Sequence, residues 1–213
     1  MRVLVTGVGG YIGSLMAPLL DDRGHEVVGL DTGYYLDGWL YNGVKHFPKW
    51  IAKDIRHIEE DDLKGFDAVV HLAELSNDPL GQHSPEITFE INHQGSVELA
   101  KKAKAAGVTR FVYTSSCSVY GMGNDDLKTE ESETDPITAY AKCKVLVERD
   151  VAQLADDSFS PTFLRNATAY GPSPRMRFDI VLNNLAGLAW TTREIKLTSD
   201  GSPWRPLVHV KDI

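Results

Sequence analysis

The stretch Thr6-Gly7-Val8-Gly9-Gly10-Tyr11-Ile12-Gly13 constrains this chain more than any other. It follows a short apolar run, Arg2–Val5, and opens a segment with helical spacing, Tyr11–Leu20. Glycines between a strand and a helix permit a tight turn. They also let the backbone approach a pyrophosphate, which the free N–H groups and dipole at the helix N-terminus attract. The second apolar run, Val27–Leu30, ends at Asp31, 18 residues after Gly13. A carboxylate there accepts both hydroxyls of an adenosine ribose and repels a 2′-phosphate. Either feature alone also fits an ordinary turn. Together they point to a dinucleotide, and to NAD rather than NADP.

The rest of the chain keeps this rhythm. Strand candidates fall at Trp50–Ala52, Ala68–Leu72, Arg110–Thr114 and Thr162–Leu164. Helical patterns run over about 86–106 and 138–154. Near-continuous apolar strands alternating with helices predict an α/β fold: a doubly wound parallel sheet covered on both faces. After Tyr170-Gly171-Pro172 the rhythm changes, so residues 1–172 read as a dinucleotide-binding domain and 173–213 as the start of a smaller lobe. In that lobe a helix is expected over 178–190 and strands over 195–197 and 207–210.

Composition removes several function classes. A formal net charge of −8 over 213 residues argues against a nucleic-acid groove, which needs clustered Lys and Arg. The two cysteines, Cys117 and Cys143, make neither a disulfide framework nor a metal motif, and fit reduced thiols in the cytoplasm. No metal site is expected. No apolar run approaches the length of a membrane span, and the N-terminal one is too short for a secretion signal.

Two segments carry chemistry. Tyr140 and Lys144 stand four residues apart on a predicted helix and share a face. A nearby ammonium favours the phenolate, which makes Tyr140 a candidate acid/base. Such pairs are also common on amphipathic helices. The polar segment Tyr113-Thr114-Ser115-Ser116-Cys117-Ser118-Val119-Tyr120-Gly121 follows the fifth strand, at the sheet edge where ligands bind in open α/β folds. A serine hydroxyl there can bond a substrate oxygen, or merely cap a strand.

Taken in order, the glycine turn, Asp31, the Ser115–Gly121 segment, Tyr140-Ala141-Lys142-Cys143-Lys144 and Leu164-Arg165-Asn166-Ala167-Thr168-Ala169-Tyr170-Gly171-Pro172 resemble the extended short-chain dehydrogenases/reductases, the NAD-dependent NDP-sugar epimerase/dehydratase family. The resemblance spans the chain. It implies a Rossmann fold with Gly7, Gly10, Tyr11, Ile12 and Gly13 under the pyrophosphate and Asp31 on the ribose. Asp54 and Ile55 would lie by the adenine, with Leu72 and Ala73 along the cofactor. Ser116 would be the catalytic hydroxyl, Tyr140 the acid/base and Lys144 the ribose-binding lysine. Asn92 would be a structural residue of the central helix. Thr168 and Arg205 would face the substrate, the arginine fork gripping its diphosphate.

Three departures stand out. Glu74 follows His71-Leu72-Ala73 where the family has Ala or Gly, placing a negative charge near the cofactor path. Thr168 replaces the family's sugar-contacting Asn. Cys117-Ser118 replaces the acid pair of the 4,6-dehydratases, so water elimination lacks its proton donor and acceptor. The expected activity is therefore a sugar-nucleotide epimerase using transient hydride transfer. A net dehydrogenase or ketoreductase on a sugar or small polyol, and a non-catalytic NAD-binding protein, are the alternatives. The resemblance further implies a homodimer through the helices around 86–106 and 138–154, for which Val97, Leu99, Ala103, Val145, Leu146 and Val151 appear as surplus apolar residues. Relatives are substantially longer, so the 213 residues are expected to be a fragment whose substrate pocket is open on one side.

Overall fold

The computed structural model describes residues 1–41, 47–76, 78–122, 127–202 and 204–213. Six strands, β1 (Arg2–Thr6), β2 (Glu26–Asp31), β3 (Trp50–Ala52), β4 (Ala68–His71), β5 (Arg110–Ser116) and β6 (Ser160–Asn166), form a sheet in the order β3-β2-β1-β4-β5-β6. Every neighbouring pair is parallel. This is the doubly wound Rossmann arrangement, with its strand order reversing between β1 and β4. Side chains alternate across β1. Leu4 joins a core with Leu30, Val69, Leu99, Phe111 and Val147, while Val3 and Val5 join Val8, Ala17, Val27 and Val70 on the other face.

Helices α1 (Gly13–Asp22), α2 (Glu60–Leu63), α3 (Asp78–His83), α4 (Pro85–Thr88), α5 (Ser96–Ala105) and α6 (Ala139–Ala152) connect and cover the sheet. Between α4 and α5, residues Phe89–Gly95 wind as a π-helical turn. Such turns are rare and cluster at functional sites. The single helix expected over 86–106 is therefore interrupted. Asn92 lies fully buried in the turn and pins the chain after β4: its Oδ1 accepts from Leu75 N at 2.8 Å, and its Nδ2 donates to Leu75 O at 2.8 Å.

Residues 168–213 hold a second, two-stranded parallel sheet, β7 (Thr168–Tyr170) with β8 (Leu207–His209), and helix α7 (Val181–Thr192). Strand β7 is absent from the sequence expectation, because three residues, Thr168-Ala169-Tyr170, are too few to show a strand pattern. The strand expected over 195–197 does not form: Ile195 and Leu197 are exposed and outside regular structure. The apolar residues that seemed surplus on α5 and α6 have partners within the chain. Val97, Leu99, Ala103 and Val151 are buried in its core, and only Val145 and Leu146 are partly exposed.

Candidate active site

The cleft forms where the carboxyl ends of the strands face residues 166–169, 175–180, Ser202 and 204–206. Every residue expected at the site lines it, and its volume is about 1870 Å³. Gly7, Gly10, Tyr11, Ile12 and Gly13 form one end, with Asp31, Asp54, Ile55, Leu72 and Ala73 beside them. Ser116, Tyr140 and Lys144 stand in the middle, and Thr168 and Arg205 on the far wall.

The glycine end is built from backbone. Gly7 has φ +71°, and a Cβ on Gly13 would stand 2.2 Å from the Gly7 carbonyl oxygen, so a side chain at Gly13 has no room. Asp31 is held by two backbone donors, Gly9 N to Oδ2 at 2.9 Å and Gly33 N to Oδ1 at 2.8 Å. Tyr11 ties this end to the C-terminal segment: its hydroxyl donates to Gly171 O at 2.7 Å and accepts from Asn183 Nδ2 at 3.2 Å. Asp54 caps the short turn Ile55–His57, and its carboxylate is gripped by Arg56, which holds it below the usual carboxylate range.

Beneath the turn lies a neutral buried relay. The Thr6 hydroxyl oxygen accepts from Leu72 N and Ala73 N, each at 3.2 Å. Its own proton therefore goes to His71 Nδ1, 2.6 Å away. That leaves Nε2–H of His71 to donate to Ser96 Oγ at 2.7 Å. Complete burial pushes the imidazole down to about 3, so the ring is neutral at physiological pH.

The tyrosine end is built from side chains. Thr138 caps α6, its hydroxyl accepting from Ala141 N at 3.2 Å, so the helix begins one residue before Tyr140. Tyr140, Lys144 and Glu148 then follow at four-residue steps along one face. Lys144 is buried. Its ammonium donates to Thr114 O and pairs with Glu74, 4.5 Å from the Tyr113 ring centre and 5.1 Å from that of Tyr140. Glu74 is also buried, and its Oε1 accepts from the Tyr113 hydroxyl at 2.5 Å. Desolvation would drive the Lys144 ammonium down, but Glu74 and Tyr140 more than reverse it.

Sequence reasoning expected Lys144 to lower Tyr140 below a free phenol. The opposite holds here. Desolvation raises Tyr140, and the Glu74 charge adds to it, outweighing the pull of Lys144, Ser116 and Arg177. Ser116 caps the turn Cys117–Tyr120, its Oγ accepting from Ser118 N at 3.2 Å. Burial pushes the Cys117 thiol up, although Arg205 partly opposes this. Glu148 receives the Ser115 hydroxyl and a two-point grip from Arg165, whose Nη2 lies 2.7 Å from Oε2. The i+4 spacing from Lys144 was the available signal for Glu148. Arg205 is exposed and stands beside Thr168 because Thr168 N donates to Pro206 O at 3.0 Å.

The cleft suits an anionic, polar ligand. Among the described residues, buried polar atoms without a partner include Arg175 Nε, Asn166 Nδ2 and Ser118 Oγ, all from cleft-lining residues. Arg175 stacks its guanidinium on Tyr35, 4.7 Å from the ring centre. These donors, the glycine turn and Asp31 fit a dinucleotide laid along the strand ends. The described residues contain no cluster able to hold a metal ion, and no helix long and apolar enough to cross a membrane.

Comparison with known proteins agrees with this geometry. The sequence model of the NAD dependent epimerase/dehydratase family matches residues 3–213. The chain is 31% identical over 230 residues to a UDP-glucose 4-epimerase of Mycolicibacterium smegmatis, covering 100% of this chain and 71% of the relative. A solved UDP-glucose-4-epimerase from Stenotrophomonas maltophila, with bound NAD and formylated UDP-arabinopyranose, superposes with a TM-score of 0.88 at 28% identity, covering 100% of this chain and 70% of that one. An NAD-dependent NDP-hexosamine 5,6-dehydratase of tunicamycin biosynthesis also gives a TM-score of 0.88 at 28% identity, covering 99% of this chain and 68% of that one.

Proposed function

This chain belongs to the NAD-dependent epimerase/dehydratase family of enzymes, and from that membership we propose that it is a sugar-nucleotide epimerase. The observation that carries the proposal is the meeting of Ser116, Tyr140 and Lys144 in one cleft with the glycine turn at one end and Arg205 at the other. NAD, when bound, supplies a reversible hydride acceptor. Gly7, Gly10, Gly13 and Asp31 would hold its adenosine diphosphate half, with Leu72 and Ala73 along its path and Asp54 and Ile55 near the adenine. Tyr140 takes the proton of a sugar hydroxyl at its phenolic oxygen, and Ser116 shares that hydrogen bond. Lys144 orients the ribose and stabilises charge at Tyr140. Arg205 engages the substrate diphosphate, and Thr168 the sugar. Cys117-Ser118 offers no acid pair for eliminating water, which favours epimerisation over dehydration.

Residues 1–172 act as the cofactor domain and 173–213 as part of a substrate lobe. A homodimer through α5 and α6 belongs to the same reading, resting on Val145 and Leu146. The deciding experiment incubates the protein with NAD and a panel of NDP-sugars, following NADH absorbance and sugar identity together. A new epimer with no net NADH is the expected result. Stoichiometric NADH would replace the epimerase by a dehydrogenase. Bound NAD with no conversion of any sugar would leave an NAD-binding protein.

A further inference from the structure

Glu74 is a buried carboxylate paired with Lys144. It stands three residues beyond the end of β4, on the segment that Asn92 pins through Leu75. Its carboxylate is almost wholly removed from solvent, with side-chain exposure of 3%, as is that of its partner Lys144. An ammonium has three donors. One goes to Glu74 and one to Thr114 O, which leaves one for Tyr140 or for a ribose hydroxyl. The direction of that last N–H is thus fixed by two anchors, of which Glu74 is the charged one.

We propose that Glu74 is a positioning residue that aims Lys144 and cancels its charge beside Tyr140, so that proton release from Tyr140 waits for the positive charge of an oxidised nicotinamide. The proposal rests on the assignment of Tyr140 and Lys144 given above. The charge count supports it. Burial raises the Glu74 carboxyl, and Lys144 and the Tyr113 hydroxyl oppose this. As an ion pair Glu74 and Lys144 sum to zero, so ionising Tyr140 alone leaves a net negative charge beside two buried side chains, which is costly. Without Glu74 the same ionisation would convert a net positive cluster to a neutral one. The other groups facing the pair do not alter this balance. His71 from β4 is neutral, and the hydroxyl of Tyr113 from β5 is raised well above the usual tyrosine value by burial. Cys143 from α6 is held protonated, pushed up to about 12 by burial. Arg177, from the segment before α7, acts on Tyr140 but is itself paired with Asp179 at 2.6 Å. The oxidised cofactor differs from the reduced one by a positive charge on the ring. Tyr140 would therefore accept a substrate proton most readily when hydride can leave.

The test follows ring-carbon NMR shifts of isotope-labelled tyrosine against pH, with the Tyr140→Phe protein subtracted to remove the other tyrosines. It needs no sugar substrate, so a failed epimerase assay would not decide it. Without cofactor, Tyr140 should ionise above the free-tyrosine value of about 10. NAD+ should lower that midpoint by about one unit or more, and NADH should not. Glu74→Gln should lower it by a similar amount without any cofactor, and Glu74→Asp should restore most of the wild-type value. Equal midpoints with NAD+ and with NADH would overturn the proposal, as would a Glu74→Gln protein that titrates like the wild type. If the variant does not fold, the wild-type comparison of the two cofactor forms decides alone.

Discussion

The two ends of the cleft are built from different materials. At the glycine turn the chain presents backbone: Gly9 N and Gly33 N hold Asp31, and Gly13 leaves the Gly7 carbonyl oxygen no room for a Cβ. The turn Gly7–Gly13 is local sequence, and Asp31 and Gly33 join it from the end of the next strand. At the tyrosine end, Glu74, Tyr113, Ser116, Tyr140 and Lys144 arrive from β4, β5 and α6, and they meet through side-chain contacts that the sheet order brings about. The first end fails if a backbone conformation is lost. The second fails if a charge is left without its partner. Substitutions at each end should therefore fail in different ways.

The largest effect is expected at the tyrosine end. Tyr140→Phe keeps the ring and removes the proton. Turnover of any accepted sugar nucleotide should fall by at least ~100-fold, the usual range for an acid/base group. NAD affinity, measured by calorimetry, should change little. A loss of less than ~10-fold would remove Tyr140 from the acid/base role.

Lys144→Ala should do what Tyr140→Phe does not. It strips the buried Glu74 side chain of its cation. Breaking one side of a buried pair costs about 3–5 kcal/mol. Thermal unfolding should register that loss even with no cofactor present. The paired variant Lys144→Ala, Glu74→Ala should recover part of it. If the single variant is as stable as the wild type, Glu74 is reaching water or taking up a proton.

The same contrast explains what the sequence made legible. The glycine turn and Asp31 are patterns whose chemistry follows from backbone geometry, and both line the cleft. The strand rhythm placed β1 to β6 within a few residues, because buried parallel strands are apolar along their whole length. The sign of the Tyr140 shift was not legible. It depends on Glu74, which lies 66 residues away in sequence and reaches Lys144 only through the pairing of β4 with β5. Glu74 was visible as an odd residue, but its direction was not. The strand expected at 195–197 failed for a related reason. Alternating apolar residues form a strand only where a partner edge exists, and Ile195 and Leu197 remain exposed.

At the glycine end the expected effects are smaller. Gly13→Ala forces a carbon against the Gly7 carbonyl oxygen, and overpacking of this kind costs about 1–3 kcal/mol. NAD affinity should fall with stability, unlike in Tyr140→Phe. His71 adds a pH dependence. Its folded value near 3 lies below the ordinary imidazole value of 6.5. The unfolded chain therefore binds one more proton between those limits. His71 contributes its full stabilisation above pH 6.5 and loses it as pH falls through that window, at up to about 1.4 kcal/mol per pH unit. Urea unfolding at stepped pH should reveal that slope, and His71→Gln should flatten it.

The smallest effect concerns cofactor choice. Asp31 would meet the extra 2′-phosphate of NADP with a like charge. Its position is set by Gly9 N and Gly33 N, and among the described residues no cation pairs with it to offset the repulsion. The wild-type chain should bind NAD more tightly than NADP. Asp31→Ala removes the repulsion and also releases both backbone donors. NAD affinity should drop through the lost ribose contacts while NADP affinity holds or improves, narrowing the ratio by about tenfold, or ~1.4 kcal/mol. Fluorescence titration of both cofactors against both proteins measures it. If the ratio does not move, Asp31 serves the turn alone, and the glycine end selects its cofactor by some other group.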